Sequence, residues 1–369
     1  MARSCFLALS FLAGPACGVL VASCSGNGAL RPPTSDGQSS DPCDPGGGGT
    51  NTGPKPAVDA GAAPVSMPGG SGGIGFDDLR FSATLAMLLV PAGRTGNLDL
   101  VDPSSEGVSP VGGFSSEGAY SGDDTFGVTS ADEGNAIVYA VDRTSKTLSV
   151  VDPKGHTIAS HATLAATPGY VRYVAPTNEV WVTEPSMGQI EVFTLGTTAS
   201  TPPTHATTIA VGSGPESLAI DVAGLRAYTH AASAVVAIDV MAHSVVASWP
   251  NGCTTSRGIA VDSANKWVMS ACEEGMVVVL STAGATIGTV MVGAGVDQIA
   301  YDPQSTRLYV PGPAAAAMSV VQLGANGAPK VLGSIQTPND SHCVVTNGGR
   351  SVFVCAPSAG ALLFINDPF

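Results

Sequence analysis

A short strand recurs seven times along the chain, and its period restricts the fold more than any other feature. The copies are LLV (88–90), IVYA (137–140), VWV (180–182), RAYT (226–229), KWV (266–268), RLYV (307–310) and SVFV (351–354). Their central residues are Leu89, Tyr139, Trp181, Tyr228, Trp267, Tyr309 and Phe353, spaced 50, 42, 47, 39, 42 and 44 positions apart. Six of these seven are aromatic in a chain with only 5% aromatic residues, which chance does not explain. In residues 297–310, DQIAYDPQSTRLYV, one β-prone run precedes the copy across a polar turn. A second alternating run follows each copy, as in TLSVVDP (147–153) or AVVAIDV (234–240), and several units add a further strand such as TIAVG (208–212) or GTVMVG (288–293).

Four short strands in each unit of about 42 residues predict an all-β fold, a seven-bladed β-propeller of four-stranded antiparallel blades. The aromatic centres then pack blade against blade. Composition agrees: 46 glycines, 44% hydrophobic and 12% charged residues suit strands joined by turns.

Residues 212–239, GSGPESLAIDVAGLRAYTHAASAVVAID, resemble the YVTN repeat, whose pattern is G-x-x-P-x-x-[VIL]-A-[VI]-x-x-x-G-x-x-[VA]-Y-V followed by a V-x-V-I-D strand. Thr229 and His230 depart from it. The resemblance implies a seven-bladed propeller, commonly secreted or displayed at the cell surface, and no single activity. The last unit has three strands, so its outer strand is expected from the N-terminal side. Residues 57–68, AVDAGAAPVSMP, are the candidate, with Pro64 tolerable at a sheet edge.

The chain opens MARSCFLALSFLAGPACGVLVASC, a basic residue and then an apolar stretch, in the form of a secretory signal. Val21-Ala22-Ser23-Cys24 resembles a bacterial lipobox, which implies cleavage before Cys24 and lipid on that cysteine. Ser25 after it resembles the outer-membrane pattern of Gram-negative lipoproteins. The expected organisation is a signal peptide at 1–23, a disordered tether at 24–75 and the propeller at 76–369. The tether is rich in glycine and proline, and a coil of that length spans ~40 Å. The motif Gly69-x-Ser71-x-Gly73 falls in this tether and off any strand–turn–helix, so it is not read as a nucleophile.

Export permits disulfides. Cys343 and Cys355 flank the Asn347-Gly348-Gly349 turn, and Cys253 and Cys272 bracket the matching hairpin two units earlier, predicting the pairs 253–272 and 343–355. Cys43 is left over. No zinc-ribbon or haem spacing occurs.

The residue just ahead of each innermost strand forms a third series: Asp77, Asp124, Tyr170, Glu216, Arg257, Asp297 and His342. In a propeller these seven positions ring the mouth of the central channel, and the strand interiors that follow are expected to be apolar. The ring suits two roles. It caps turns and lines a water-filled channel, or it forms a polar site. The other histidines, His156, His161, His205, His230 and His243, show no partners in sequence.

A formal charge of −14 disfavours nucleic acid and suits a basic, cationic or neutral ligand. The expected function is an envelope-anchored, monomeric binding module that takes a protein, glycan or small ligand at the channel mouth, without a cofactor. The alternative resembles propeller lactonases: a hydrolase using channel carboxylates and His342 around calcium or another divalent cation. A purely architectural envelope protein is a third reading.

Overall fold

A computed structural model describes residues 57–369. The expected signal peptide, Cys24 as the expected lipidation residue, and Cys43 lie outside them. Seven sheets form seven blades, spanning residues 80–116, 128–163, 171–210, 218–250, 256–291, 300–336 and 344–366, numbered one to seven here. Neighbouring strands of each span pair antiparallel in chain order, innermost first.

Each expected aromatic centre sits on the second strand of its blade and is buried, from 0% exposed at Trp181 and Tyr309 to 6% at Trp267. Each also belongs to an apolar cluster shared with the next blade. Trp181 of blade three meets Leu218 and Ala227 of blade four. Tyr309 of blade six meets Val344 and Val352 of blade seven. Phe353 of blade seven meets Leu79 and Leu88 of blade one, closing the ring. The core is thus seven inter-blade layers, because a twisted four-stranded sheet buries both faces only against neighbours.

The turns between first and second strands are built alike in every blade but the third, whose turn closes on backbone carbonyls alone. In the other six an Asp, Ser, Glu or Thr side chain accepts a backbone N–H two or three residues on; Asp302 takes that of Gln304 at 3.0 Å and Asp262 that of Asn265 at 2.9 Å. The residue before the second strand is left-handed, as at Leu225 (φ 52°) and Thr306 (φ 53°). That pairing of side-chain cap and left-handed residue closes a tight hairpin.

The N-terminal segment closes the ring, supplying from residues 57–68 the outer strand that the last blade lacks. Ala63–Ser66 is the outer strand of blade seven, antiparallel to Ala361–Asn366, with Val65 opposite Leu362. Pro64 sits at that edge, where a missing N–H breaks no ladder. Just before it, Ala57–Val58 pairs in parallel with Ser334 and Ile335, adding a fifth strand to blade six. The glycine-rich loop that follows is gripped by buried Arg94, whose Nε donates to the Gly73 carbonyl at 2.7 Å and Nη2 to that of Ser71 at 2.7 Å. Both expected disulfides are present: Cys253–Cys272 and Cys343–Cys355.

A chain starting at residue 67 should lose the closing strand and melt at least ~10 °C below one starting at 51, since two edges and an apolar cluster open to water. Calorimetry of the two variants decides it.

Asp99 is fully buried between Val90 and Pro110 on neighbouring strands, and neither carboxylate oxygen has a hydrogen-bond partner. Burial pushes its pKa from 3.8 up to about 7. The folded state therefore favours the neutral acid, and its stability falls as pH rises through about 7. Asp99→Asn should escape that loss, gaining up to about 4 kcal/mol over wild type at pH 8 and little at pH 4 in denaturant titrations.

Candidate functional site

The turns from each outer strand to the next inner strand deliver the ring residues to one end of the channel. Asp124, Glu216, Arg257, Asp297 and His342 line one cavity of about 390 Å³ there, joined by Tyr120, Asp123, Glu273 and Asp340. The other two expected members lie deeper. Asp77 is buried against Arg143, 2.7 Å from Nη2, and the same guanidinium is 3.5 Å from Asp124. Tyr170 is buried with its ring 4.8 Å from the Arg172 guanidinium.

The charges of the mouth are unevenly paired. Arg257 bridges Glu216 at 2.7 Å and Glu273 at 2.9 Å. His342 places Nδ1 2.8 Å from the Asp340 carbonyl oxygen and Nε2 2.8 Å from that of Phe76. A carbonyl only accepts, so both ring nitrogens must donate and the imidazole is a cation. Burial opposes that charge, but Asp297 and the two carbonyls outweigh burial, and the pKa is raised. Asp297 has no hydrogen-bond or ion-pair partner within bonding distance among the described residues. Burial and the charge of Glu216 push its pKa from 3.8 to about 6, with His342 and Arg257 opposing. Six carboxyls line the mouth against one guanidinium and one imidazolium.

Asp124, Asp297 and His342 bring one ligand atom each within 4.8 Å of one another, a spacing that could hold a metal ion. The donor chemistry does not fit one. A metal needs an imidazole lone pair, and both nitrogens of His342 are turned to carbonyls. Two carboxylates remain, fewer than the oxygen donors calcium takes.

Below the mouth the channel is plugged, which corrects the expectation of apolar strand interiors. Arg172 on the innermost strand of blade three donates to both oxygens of Asp78, through Nη1 at 2.5 Å and Nη2 at 2.9 Å, and through Nε to the Leu218 carbonyl at 2.9 Å. Ser130 donates to Asp78 at 2.6 Å and accepts the Val171 N–H. Gln298 donates to Asp78 at 2.8 Å and to the Leu79 carbonyl, and its oxygen accepts the N–H groups of Leu79 and Val344. The network joins blades one, two, three, four, six and seven; blade five presents Gly258 at the position after its ring residue. Arg172 was detectable as a lone charged residue in an otherwise apolar strand, and Gln298 as a polar residue directly ahead of one. Glu273 and Asp340 lie in turns of variable length, with no fixed offset to reveal them.

The other histidines divide. His230 is buried between Ser217 and Ser270, with Nδ1 3.2 Å and Nε2 2.9 Å from their hydroxyls. Ser217 donates onward to the Arg257 carbonyl at 2.6 Å, so Nδ1 carries the proton and the chain braces the backbone of a mouth residue. Burial lowers the His230 pKa to about 4. His243 of blade four reaches Glu179 of blade three at 2.9 Å, a clamp between blades.

No family model matches the sequence, and no relative was found among curated proteins. Solved structures share the fold. The chain is similar to virginiamycin B lyase from Staphylococcus aureus, a catalytically inactive form with quinupristin, at 10% identity and TM-score 0.64, covering 83% of this chain and 99% of that one. It is similar to a chain of the mitotic checkpoint complex at 15% identity and TM-score 0.63, covering 87% and 96%. A chain of Kuenenia stuttgartiensis hydrazine synthase aligns at 12% identity and TM-score 0.66, covering 81% and 96%. At such identities the likeness is one of fold.

Arg172→Met leaves the Asp78 carboxylate buried without its partner and should cost about 3–5 kcal/mol in denaturant unfolding. Adding Asp78→Asn should return much of it, a coupling that a double-mutant cycle measures.

Proposed function

We propose that this protein is a binding module whose channel mouth receives a basic side chain, lysine or arginine, presented by a protein partner. The observation that carries the reading is Asp297, a carboxylate without a partner in a cavity of about 390 Å³ that carries a surplus of acids. An ammonium or guanidinium entering there gains the pairing that Asp297 lacks. The net charge of −14 steers cations toward the surface. The mitotic checkpoint complex, in which a propeller of this shape is part of an assembly, is compatible with a protein partner. We place the module on a lipid anchor at Cys24, at the outer membrane of an exported lipoprotein, on the strength of the lipobox-like sequence. The likeness of residues 212–239 to the YVTN repeat supports the same placement.

The alternative is a lactonase-like hydrolase holding a divalent cation on Asp124, Asp297 and His342. The approach of those three groups favours it, and the two carbonyl contacts of His342 weigh against it.

Titration calorimetry with a lysine-containing peptide tests the proposal. Asp297→Asn should weaken binding at least about tenfold while Tm stays within about 2 °C. Affinity should be level above about pH 6 and fall by up to about tenfold per pH unit below it, because protonation removes the charge that attracts the ligand. Unchanged binding in Asp297→Asn sinks the mouth as the site. A calcium-dependent rise in Tm that vanishes in the same variant would favour the hydrolase.

A further inference from the structure

The opposite end of the channel holds a second cavity, of about 510 Å³, that shares no lining residue with the mouth. Its floor is the plug: Tyr170, Arg172 and Gln298 close it on the inner side. We propose that this blind chamber is a separate binding site for an uncharged small molecule that carries hydrogen-bonding groups on an apolar or aromatic body, since Ser82, Thr84, Gln298 and Thr346 share the lining with the apolar side chains.

Size comes first. The volume falls within the range of about 300–1,000 Å³ typical of small-molecule sites. Chemistry follows from the walls. Phe81, Ile220, Val261, Tyr173 and Tyr301 line the chamber and are each only partly buried, so they keep apolar surface toward it. The two tyrosine hydroxyls are engaged elsewhere, that of Tyr173 with Asn178 at 3.1 Å and that of Tyr301 with Asp262 at 2.6 Å. Their hydrogen-bonding tips are therefore committed, and what they offer a ligand is the ring. Val222 stands at the rim, 50% exposed.

Charge selects against anions. The guanidinium of Arg172 is consumed by Asp78, and its Nε by Leu218. Arg80 at the rim pairs with Asp132, and Glu133 accepts from Ser82 and from the Ala136 N–H. An anionic ligand would be desolvated without a free counter-charge, because the unpaired charge in the lining, Glu133, is itself negative, whereas an apolar one displaces water from ring and aliphatic faces. The two ends of one channel thus differ in kind, because the plug consumes the charge on one side and leaves Asp297 unpaired on the other.

The test uses the uncharged fluorophore N-phenylnaphthylamine with the chain from residue 51. Wild type should bind one equivalent with enhanced emission. Val222→Asp and Phe81→Ala should each weaken it about tenfold, while Asp297→Asn at the mouth leaves it within about twofold. Val222 is half exposed, so its variant folds even where Phe81→Ala does not. No saturable binding overturns the proposal. So does binding of several equivalents, or binding unchanged by Val222→Asp, which would place the dye on exposed side chains such as Met241 and Val246 of blade four. A failure of cation binding at the mouth would leave this result untouched, because the sites share no residue.

Discussion

The buried pairing of Asp78 with Arg172 sets what each end of the channel can do. Both groups are almost wholly inaccessible to water, at 0% and 5% exposure, so neither charge could persist there alone. Ser130, Gln298 and the Leu218 carbonyl satisfy the remaining donors and acceptors, and through them residues in or directly ahead of six of the seven innermost strands meet. Stability in a ring of this kind comes mainly from the apolar layers between blades. The central network adds register: a blade that slipped by one residue would turn its polar member away and strand the others.

Above that plug the electrostatics are unbalanced. Arg143 and Arg257 each serve two carboxylates, His342 is committed as a cation to two carbonyls, and Asp297 is left over. The same three groups that look like metal ligands in a list of residue types behave differently once the imidazole nitrogens are assigned. What remains is a mouth with a surplus of carboxylates, the feature on which the proposed binding of a basic side chain rests. Below the plug both arginines are paired with carboxylates and ring faces are presented, so one topology carries two unlike cavities.

The N-terminal closure shows how a compositional reading can mislead locally. Residues 24–75 average out as a tether because glycine and proline dominate them. Yet Val65, Met67 and Ile74, three of the few apolar residues present, are those buried against blades one and seven. A two-residue parallel strand and an outer strand containing Pro64 leave little periodicity to detect. Their role appears only when the last blade is found to lack an edge.

The sequence by itself determined the seven units, the aromatic layer between blades, the two disulfides and the ring of polar residues, because strand alternation and fixed turn chemistry repeat with the period of the fold. It placed all seven ring residues near the channel axis but could not say that Asp77 and Tyr170 would be buried while the other five open onto a cavity. It also missed that Arg172 and Asp78, 94 positions apart, would meet. Those outcomes depend on which side chains converge across the axis from different blades, a relation fixed by closure of the ring. The protonation of His342 and the isolation of Asp297 follow from the same convergence, since a charge is defined by its neighbours in space rather than in the chain.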